Sequence, residues 1–199
     1  MFPDFLDAPV DLVAPRLLGC TFTRHIDGED IIVRIVEVEA YDQDDAASHA
    51  FRGETPRNRV MFGESGRLYV YFTYGMHYCC NVATGPAGHG SGILIRAVEP
   101  LNGLDLLEAR RGLAGVNVTN GPGKLCQALG IDLAMNGHDL RIPPLVLAEA
   151  PLHPGETITR SPRIGISKAT DLLRRFHITG NRYVSRGPKR PVSPGTPLS

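Results

Sequence analysis

The chain has no C-x-x-C pair, no apolar run of membrane-spanning length and no net charge. Its four cysteines are Cys20, Cys79, Cys80 and Cys126. Adjacent residues of a strand point to opposite faces, so Cys79 and Cys80 are poorly placed to hold one metal together. All four read as reduced, buried small hydrophobes. No metal and no cofactor is expected; a zinc site from His77, Cys79 and a distant histidine is the alternative. A transmembrane helix needs about 20 apolar residues, and no stretch approaches that. The opening Met1-Phe2-Pro3-Asp4-Phe5-Leu6-Asp7 carries acids where a signal peptide carries bases. A soluble, cytoplasmic protein without a targeting signal is expected. Zero net charge argues mildly against nucleic acid as a partner.

The zero conceals an asymmetry. Residues 1–50 hold three arginines against eleven acids, and residues 51–199 hold eighteen basic residues against ten acids. From Arg160 to Ser199, nine basic residues accompany one acid, Asp171. One face of such a protein can bind phosphates while the whole stays neutral. Lys189 and Arg190 lie in a proline-rich tail, about 187–199, and read as solvated.

The 199 residues suit a single domain. The pattern predicts a helix from about Pro9 to Leu18, ended by Gly19. Strands follow at about Cys20–His25 and Ile31–Glu39, joined by the hairpin signal Asp27-Gly28. Asp42–Gly66 is polar and long for a structureless loop, so it should hold short helical pieces or a role. After the Gly-rich turn at Gly85–Gly92 come a strand at Ile93–Val98, a helix at Leu101–Arg111 and a short helix at Lys124–Leu129. A strand is expected at Leu145–Ala148, a helix at Lys168–Arg175 capped by Ser167, and a last strand at Tyr183–Ser185. Short hairpin-linked strands with scattered helices indicate an α+β domain on an antiparallel or mixed sheet.

Two segments carry candidate chemistry. Tyr69-Val70-Tyr71-Phe72-Thr73-Tyr74-Gly75-Met76-His77-Tyr78-Cys79-Cys80-Asn81 reads as a hairpin turning at Gly75, which tolerates positive φ. Tyr74 then stands at or beside the tip, where it has little core to pack into. A wedge between stacked bases is one use for it. Tyr69 and Tyr71 share a face by the period of two and suggest an aromatic surface for a flat ligand. A tyrosine-rich hairpin packed on its own sheet is the alternative. In Ile31–Tyr41 the odd positions Ile31, Val33 and Ile35 are followed by Glu37 and Glu39. A carboxylate ending an apolar strand face is a candidate general base. Glu37 is expected to emerge into solvent; for Glu39 solvent and site are both open from spacing alone.

These residues carry a resemblance. Glu39-Ala40-Tyr41, His49, Thr55-Pro56-Arg57-Asn58-Arg59-Val60-Met61-Phe62 and Leu68–Met76 are similar to the alkyladenine (3-methyladenine) DNA glycosylase family. So are Asn81, Ile95-Arg96-Ala97-Val98-Glu99-Pro100, Gly121–Leu129 and Arg163-Ile164-Gly165. The blocks keep the family's order from about Pro15 to Ser185. Departures fall at His77, at Cys80 and in Asp42–Ala47. The resemblance implies one domain around a curved sheet with a projecting hairpin. It implies a monomeric, monofunctional enzyme acting on double-stranded DNA that holds a damaged purine, nucleoid-associated if bacterial.

The resemblance also implies roles. Tyr74 is the wedge. Tyr41 covers one face of the flipped base, with His49 and Tyr71 on the other. Asn81 meets the base edge. Glu39 activates a water, paired with Arg96, and the carbonyl of Ile164 is a further water ligand. Arg96 lies in an apolar strand, and a buried arginine requires an anionic partner; a purely structural pair with Glu37 or Glu39 is the alternative. Gly121-Pro122-Gly123-Lys124 resembles a phosphate-binding lead-in to a helix without the spacing of a nucleotide P-loop, so Gly123 and Lys124 are candidates for a DNA phosphate. Arg57 and Arg163 are further candidates, although arginines beside turns are more often solvated. No lysine stands where a Schiff-base nucleophile is expected. A non-catalytic binder of damaged or bent DNA would use the same wedge but not a buried carboxylate. A hydrolase of free nucleosides would use neither the exposed tyrosine nor the basic C-terminal third.

Overall fold

Asp27 and Gly28 both adopt positive φ, 53° and 82°, as a two-residue hairpin turn requires. They fold β1 (Thr21–Ile26) onto β2 (Glu29–Asp42), with Ile26 opposite Glu29. This computed structural model describes residues 1–73 and 75–187. The tail from residue 188 onward and Tyr74 lie outside the described residues.

β2 is the spine of the sheet. One edge pairs with β5 (Ser91–Pro100) from Val33 to Asp42. The other edge is divided: β1 takes Glu29–Arg34, and β8 (Arg175–Ile178) takes Glu37–Glu39. Beyond β5 lie β4 (His77–Ala83) and β3 (Leu68–Thr73); beyond β1 lies β6 (Leu145–Ala148); β7 (Ile158–Ser161) pairs with β8. Every pairing between these strands is antiparallel. The curled sheet carries α1 (Val10–Leu17), α2 (Leu104–Arg111) and α3 (Pro122–Leu129). α1 turns Val10, Val13, Ala14 and Leu17 into the core, and α3 turns in Leu125, Cys126, Ala128 and Leu129. A fully buried leucine such as Leu17 contributes roughly 1.5–3 kcal/mol of transfer free energy. All four cysteines are free and buried. Among the described residues no helix is long and apolar enough to cross a membrane.

The centre of β2 departs from plain alternation. Pairing runs Ile35 to Val98, Glu37 to Ala97 and Val38 to Ile95. Val36 on β2 and Arg96 on β5 are therefore the extra residues of two compensating bulges. The core side chains of β2 are Ile31, Val33 and Ile35 before the bulge, then Val36, Val38 and Ala40 after it. The bulge exchanges odd for even positions, so Glu37 and Glu39 leave the apolar face rather than end it. The expectation that Glu37 reaches solvent is also corrected: both carboxylates are fully buried.

Two local expectations fail at the C-terminal end. Residues 168–174 form turns and bends, not a helix, and Arg175 begins β8. Arg174 is held by Asp11 at 2.7 Å and Asp42 at 2.8 Å, and Arg175 by Glu37. These long-range partners override the weak local helix preference. Tyr183–Ser185 is a turn rather than a strand, because the Ser185 N–H is taken by Glu37. β7 and β8 have no expected counterpart.

On β2, buried Arg34 grips Glu156 with both guanidinium nitrogens. These bonds hold the Glu156 carboxyl down to about 2, against a weaker effect of burial. A depressed carboxylate stabilises the fold above its ordinary range, about 4.3, and the contribution is lost as pH falls through about 2. Glu156→Gln is expected to melt below the parent at neutral pH. That gap should close between about pH 4 and about pH 2 in pH-dependent thermal melts; a gap unchanged with pH would reject the pairing as its source.

Candidate active site

Glu39 sits where β2 runs between Leu94 of β5 and Arg175 of β8. Its carboxylate is fully buried and receives three donors. The Ile164 N–H meets Oε1 at 2.7 Å, and Oε2 accepts from the Tyr41 hydroxyl at 2.8 Å and Arg96 Nη1 at 3.2 Å. The Ile164 amide thus bonds Glu39 itself, a contact separate from the water-ligand role expected of the Ile164 carbonyl. Arg96 reaches Glu39 because its bulge sets it apart from the apolar neighbours Ile95 and Ala97. Burial pushes the Arg96 guanidinium down, but the charges of Glu39 and Glu37 outweigh this and hold it up. Tyr41 is pushed up by burial and then by Glu39, so its hydroxyl remains a donor.

Behind Tyr41 lies Arg163, its guanidinium carbon 4.5 Å from the ring centroid. Arg163 pairs with Asp45 through Nη1 and Nη2, and it donates to the carbonyls of Ala40 at 2.9 Å and Ala169 at 3.3 Å. Both side chains of the pair are wholly buried. Arg163 is therefore not available to a DNA phosphate; it fixes Tyr41.

Tyr71, on β3, meets His49 nearly perpendicularly, with centroids 4.5 Å apart at 76°. His49 Nδ1 lies 3.0 Å from the Tyr69 hydroxyl. Burial, and then Arg57, push the His49 imidazole down, so it is neutral near pH 7. Tyr69 and Tyr71 were expected to form one ligand surface. Both line the same cleft, although Tyr69 is itself largely buried, 5.6 Å from Tyr71 between centroids, with its hydroxyl on His49. Asn81 is buried opposite Tyr69 in register, and its side-chain amide donates to the Tyr69 carbonyl at 3.2 Å.

Glu39, Tyr41, His49, Tyr69, Tyr71, Asn81 and Arg96 line one cleft of about 520 Å³, together with Met61, Cys79, Pro122 and Ile164–Lys168. The thiol of Cys79 is pushed up to about 11 by burial and then by Cys80, so it is not a thiolate at neutral pH. Pro122 brings the α3 lead-in to the cleft. Gly123 packs on His77, where an added Cβ would lie 3.1 Å from the imidazole, and Lys124 Nζ donates to Asn120 at 2.6 Å. Arg57 is exposed, 6.0 Å from the Tyr71 ring centroid. At the hairpin tip Thr73 pairs with His77, Gly75 has φ of 68°, and Met76 is exposed. Among the described residues no three His, Cys, Asp or Glu side chains gather as metal ligands.

Several site residues have no role in the sequence reading. Asn58 is buried and staples its loop, donating to the carbonyls of His49 at 2.8 Å and Gly53 at 3.1 Å. Its signal was its place in Thr55-Pro56-Arg57-Asn58. Asp45 gave none, and Ser167 and Lys168 read only as the start of a helix. Chemically, the cleft offers aromatic faces and, within it, an ionisable carboxylate held by three donors. Such a pocket can stack a flat group and place a base beside it.

The chain belongs to the methylpurine-DNA glycosylase family, whose model matches residues 4–182. It is similar to three proteins provisionally named 3-methyladenine DNA glycosylase. It is 49% identical to one of Methanoculleus marisnigri, over 92% of this chain and 96% of the relative. It is 47% identical to one of Carboxydothermus hydrogenoformans over the same shares, 92% and 96%. It is 48% identical to one of Nitrosospira multiformis, over 94% of each chain.

Proposed function

We propose that the protein is a monofunctional glycosylase that rotates an alkylated or deaminated purine out of double-stranded DNA and hydrolyses its N-glycosidic bond. The carrying observation is Glu39, a buried carboxylate in an aromatic-lined cleft. Extrusion of a nucleotide costs a few kcal/mol, least at a damaged or mismatched base. Tyr74 fills the vacated stack. The purine stacks against Tyr41, with His49 and Tyr71 beside it, and Asn81 faces its edge. Methylation at N3 or N7 makes a purine cationic, and each aromatic face attracts a cation by about 0.5–2 kcal/mol. This favours damaged over normal bases.

Departure of the base leaves positive charge on the sugar. Glu39 takes a proton from the attacking water and stabilises that charge. Arg96 and the Ile164 amide keep the carboxylate aimed. Lys124 and Arg57 serve the phosphate backbone near the cleft. The enzyme acts as a monomer and forms no Schiff base.

The test is release of free base from duplexes holding 3-methyladenine, 7-methylguanine or hypoxanthine. Tyr74→Ala is assayed alongside, with a fluorescent base analogue beside the lesion. Free base without strand cleavage is expected, and Tyr74→Ala should lower the flipped fraction, since stacking on one base is worth roughly 1–3 kcal/mol. A borohydride-trapped protein–DNA adduct would overturn the monofunctional reading; because Lys168 lines the cleft, that trap is a stringent check. Undiminished flipping by Tyr74→Ala would remove the wedge.

A further inference from the structure

Behind Glu39 lies a second buried carboxylate with no contact to the cleft. Glu37 Oε1 accepts from Arg96 Nε at 3.1 Å, Arg175 Nε at 2.7 Å and the Ser185 hydroxyl at 2.8 Å; Oε2 accepts from the Ser185 N–H at 2.6 Å. Arg175 also donates to Ser161 Oγ at 3.0 Å and to the Ser185 carbonyl at 3.3 Å. Arg96 is shared: Nε binds Glu37 and Nη1 binds Glu39. Full charges thus alternate along a buried line, Glu39, Arg96, Glu37, Arg175. A buried pair of this kind is poor evidence of stability, because desolvation offsets the attraction. Its geometry has a different use.

We infer that Glu37, Arg175 and Ser185 are positioning residues for the reaction: they fix Arg96 and set how readily Glu39 stays ionised. The inference rests on the reading of Glu39 as the base. Glu37 holds the Nε edge of Arg96 and so directs Nη1 to Glu39. Charge adds a second effect, opposite in sign for the two outer members. Without the Glu37 charge, two guanidinium groups serve one carboxylate, and ionised Glu39 is favoured. Without the Arg175 charge, two carboxylates share one guanidinium, and ionised Glu39 is disfavoured.

Other groups face this line from each packed element. They are Tyr41 on β2, Cys79 on β4, His177 on β8 beside Arg175, and Arg163 behind Tyr41. Tyr41 and Cys79 are both pushed up by burial and stay protonated in acid. His177 is pushed down by burial and then by Arg175, with Glu37 acting against this, so its own titration moves with both charge variants; the limbs are therefore compared in a His177→Gln background.

The experiment is single-turnover base release from a 7-methylguanine duplex against pH, for the parent, Glu37→Gln, Arg175→Gln, Arg175→Lys and Glu39→Gln. Glu37→Gln should move the acidic limb to lower pH and Arg175→Gln to higher pH, each by about one pH unit. Arg175→Lys keeps the charge, so its limb should match the parent while its plateau falls. Limbs of Glu37→Gln and Arg175→Gln that coincide with the parent, or move in the same direction, would overturn the inference, as a merely structural role predicts. If a charge variant does not fold, Ser185→Ala decides. It should lower the plateau several-fold with duplex affinity unchanged, and a parental plateau overturns the inference. Near-normal release by Glu39→Gln would instead sink the reading of the base itself, which keeps the two failures apart.

Discussion

Base release by Glu39→Gln is expected to fall by roughly 10²–10⁴-fold in single-turnover assays, the usual share of a positioned general base. Binding to the same lesion duplex should stay within a few fold. Glutamine has nearly the shape of glutamate and still accepts a hydrogen bond from the Ile164 amide. It can neither take a proton from water nor balance positive charge on the sugar. Arg96 keeps its bond to Glu37 in the variant, so collapse of the cleft is not the expected cause of the loss. Release close to the parental rate would remove Glu39 from the mechanism.

The second large effect concerns stability. Asp45→Ala leaves the Arg163 guanidinium buried without its anion. Breaking a buried pair on one side costs about 3–5 kcal/mol, because the remaining charge stays desolvated. For a chain of this size that is roughly 6–20 °C in Tm. The Ala40 and Ala169 carbonyls soften the loss without neutralising it. Adding Arg163→Met in the same chain should restore much of the melting temperature, since removing both charges is far cheaper than removing one. A single variant melting within about 1 kcal/mol of the parent would show that Arg163 finds another anion.

Much of this site can be read in the sequence. An arginine among Ile93, Leu94, Ile95, Ala97 and Val98 requires an anion, and Glu37 and Glu39 both serve as that anion. Asp27-Gly28 and Gly75 mark hairpins because positive φ is a local property. What could not be read is parity and distance. Val36 looks like any other strand residue, yet as the bulge it decides which face Glu37 and Glu39 take. Arg163 stands beside Pro162 and reads as solvated or phosphate-bound, because its partner Asp45 is 118 residues away. The same holds for Lys168–Arg175, where local preference for helix yields to anions on α1 and β2.

The contact between Ser185 and Glu37 spans 148 residues of chain. Glu37 and Glu39 emerge early in synthesis, Arg96 midway, and Ile164, Arg175 and Ser185 near the end. A chain halted just before Ser185 would hold both carboxylates and both arginines, but Glu37 would lack the N–H and hydroxyl donors of Ser185. Contacts this distant in sequence also form late in folding. An enzyme that removes bases from DNA leaves gaps that others must mend. Here the carboxylate behind the proposed base gains its full set of donors only in a chain made and folded through Ser185.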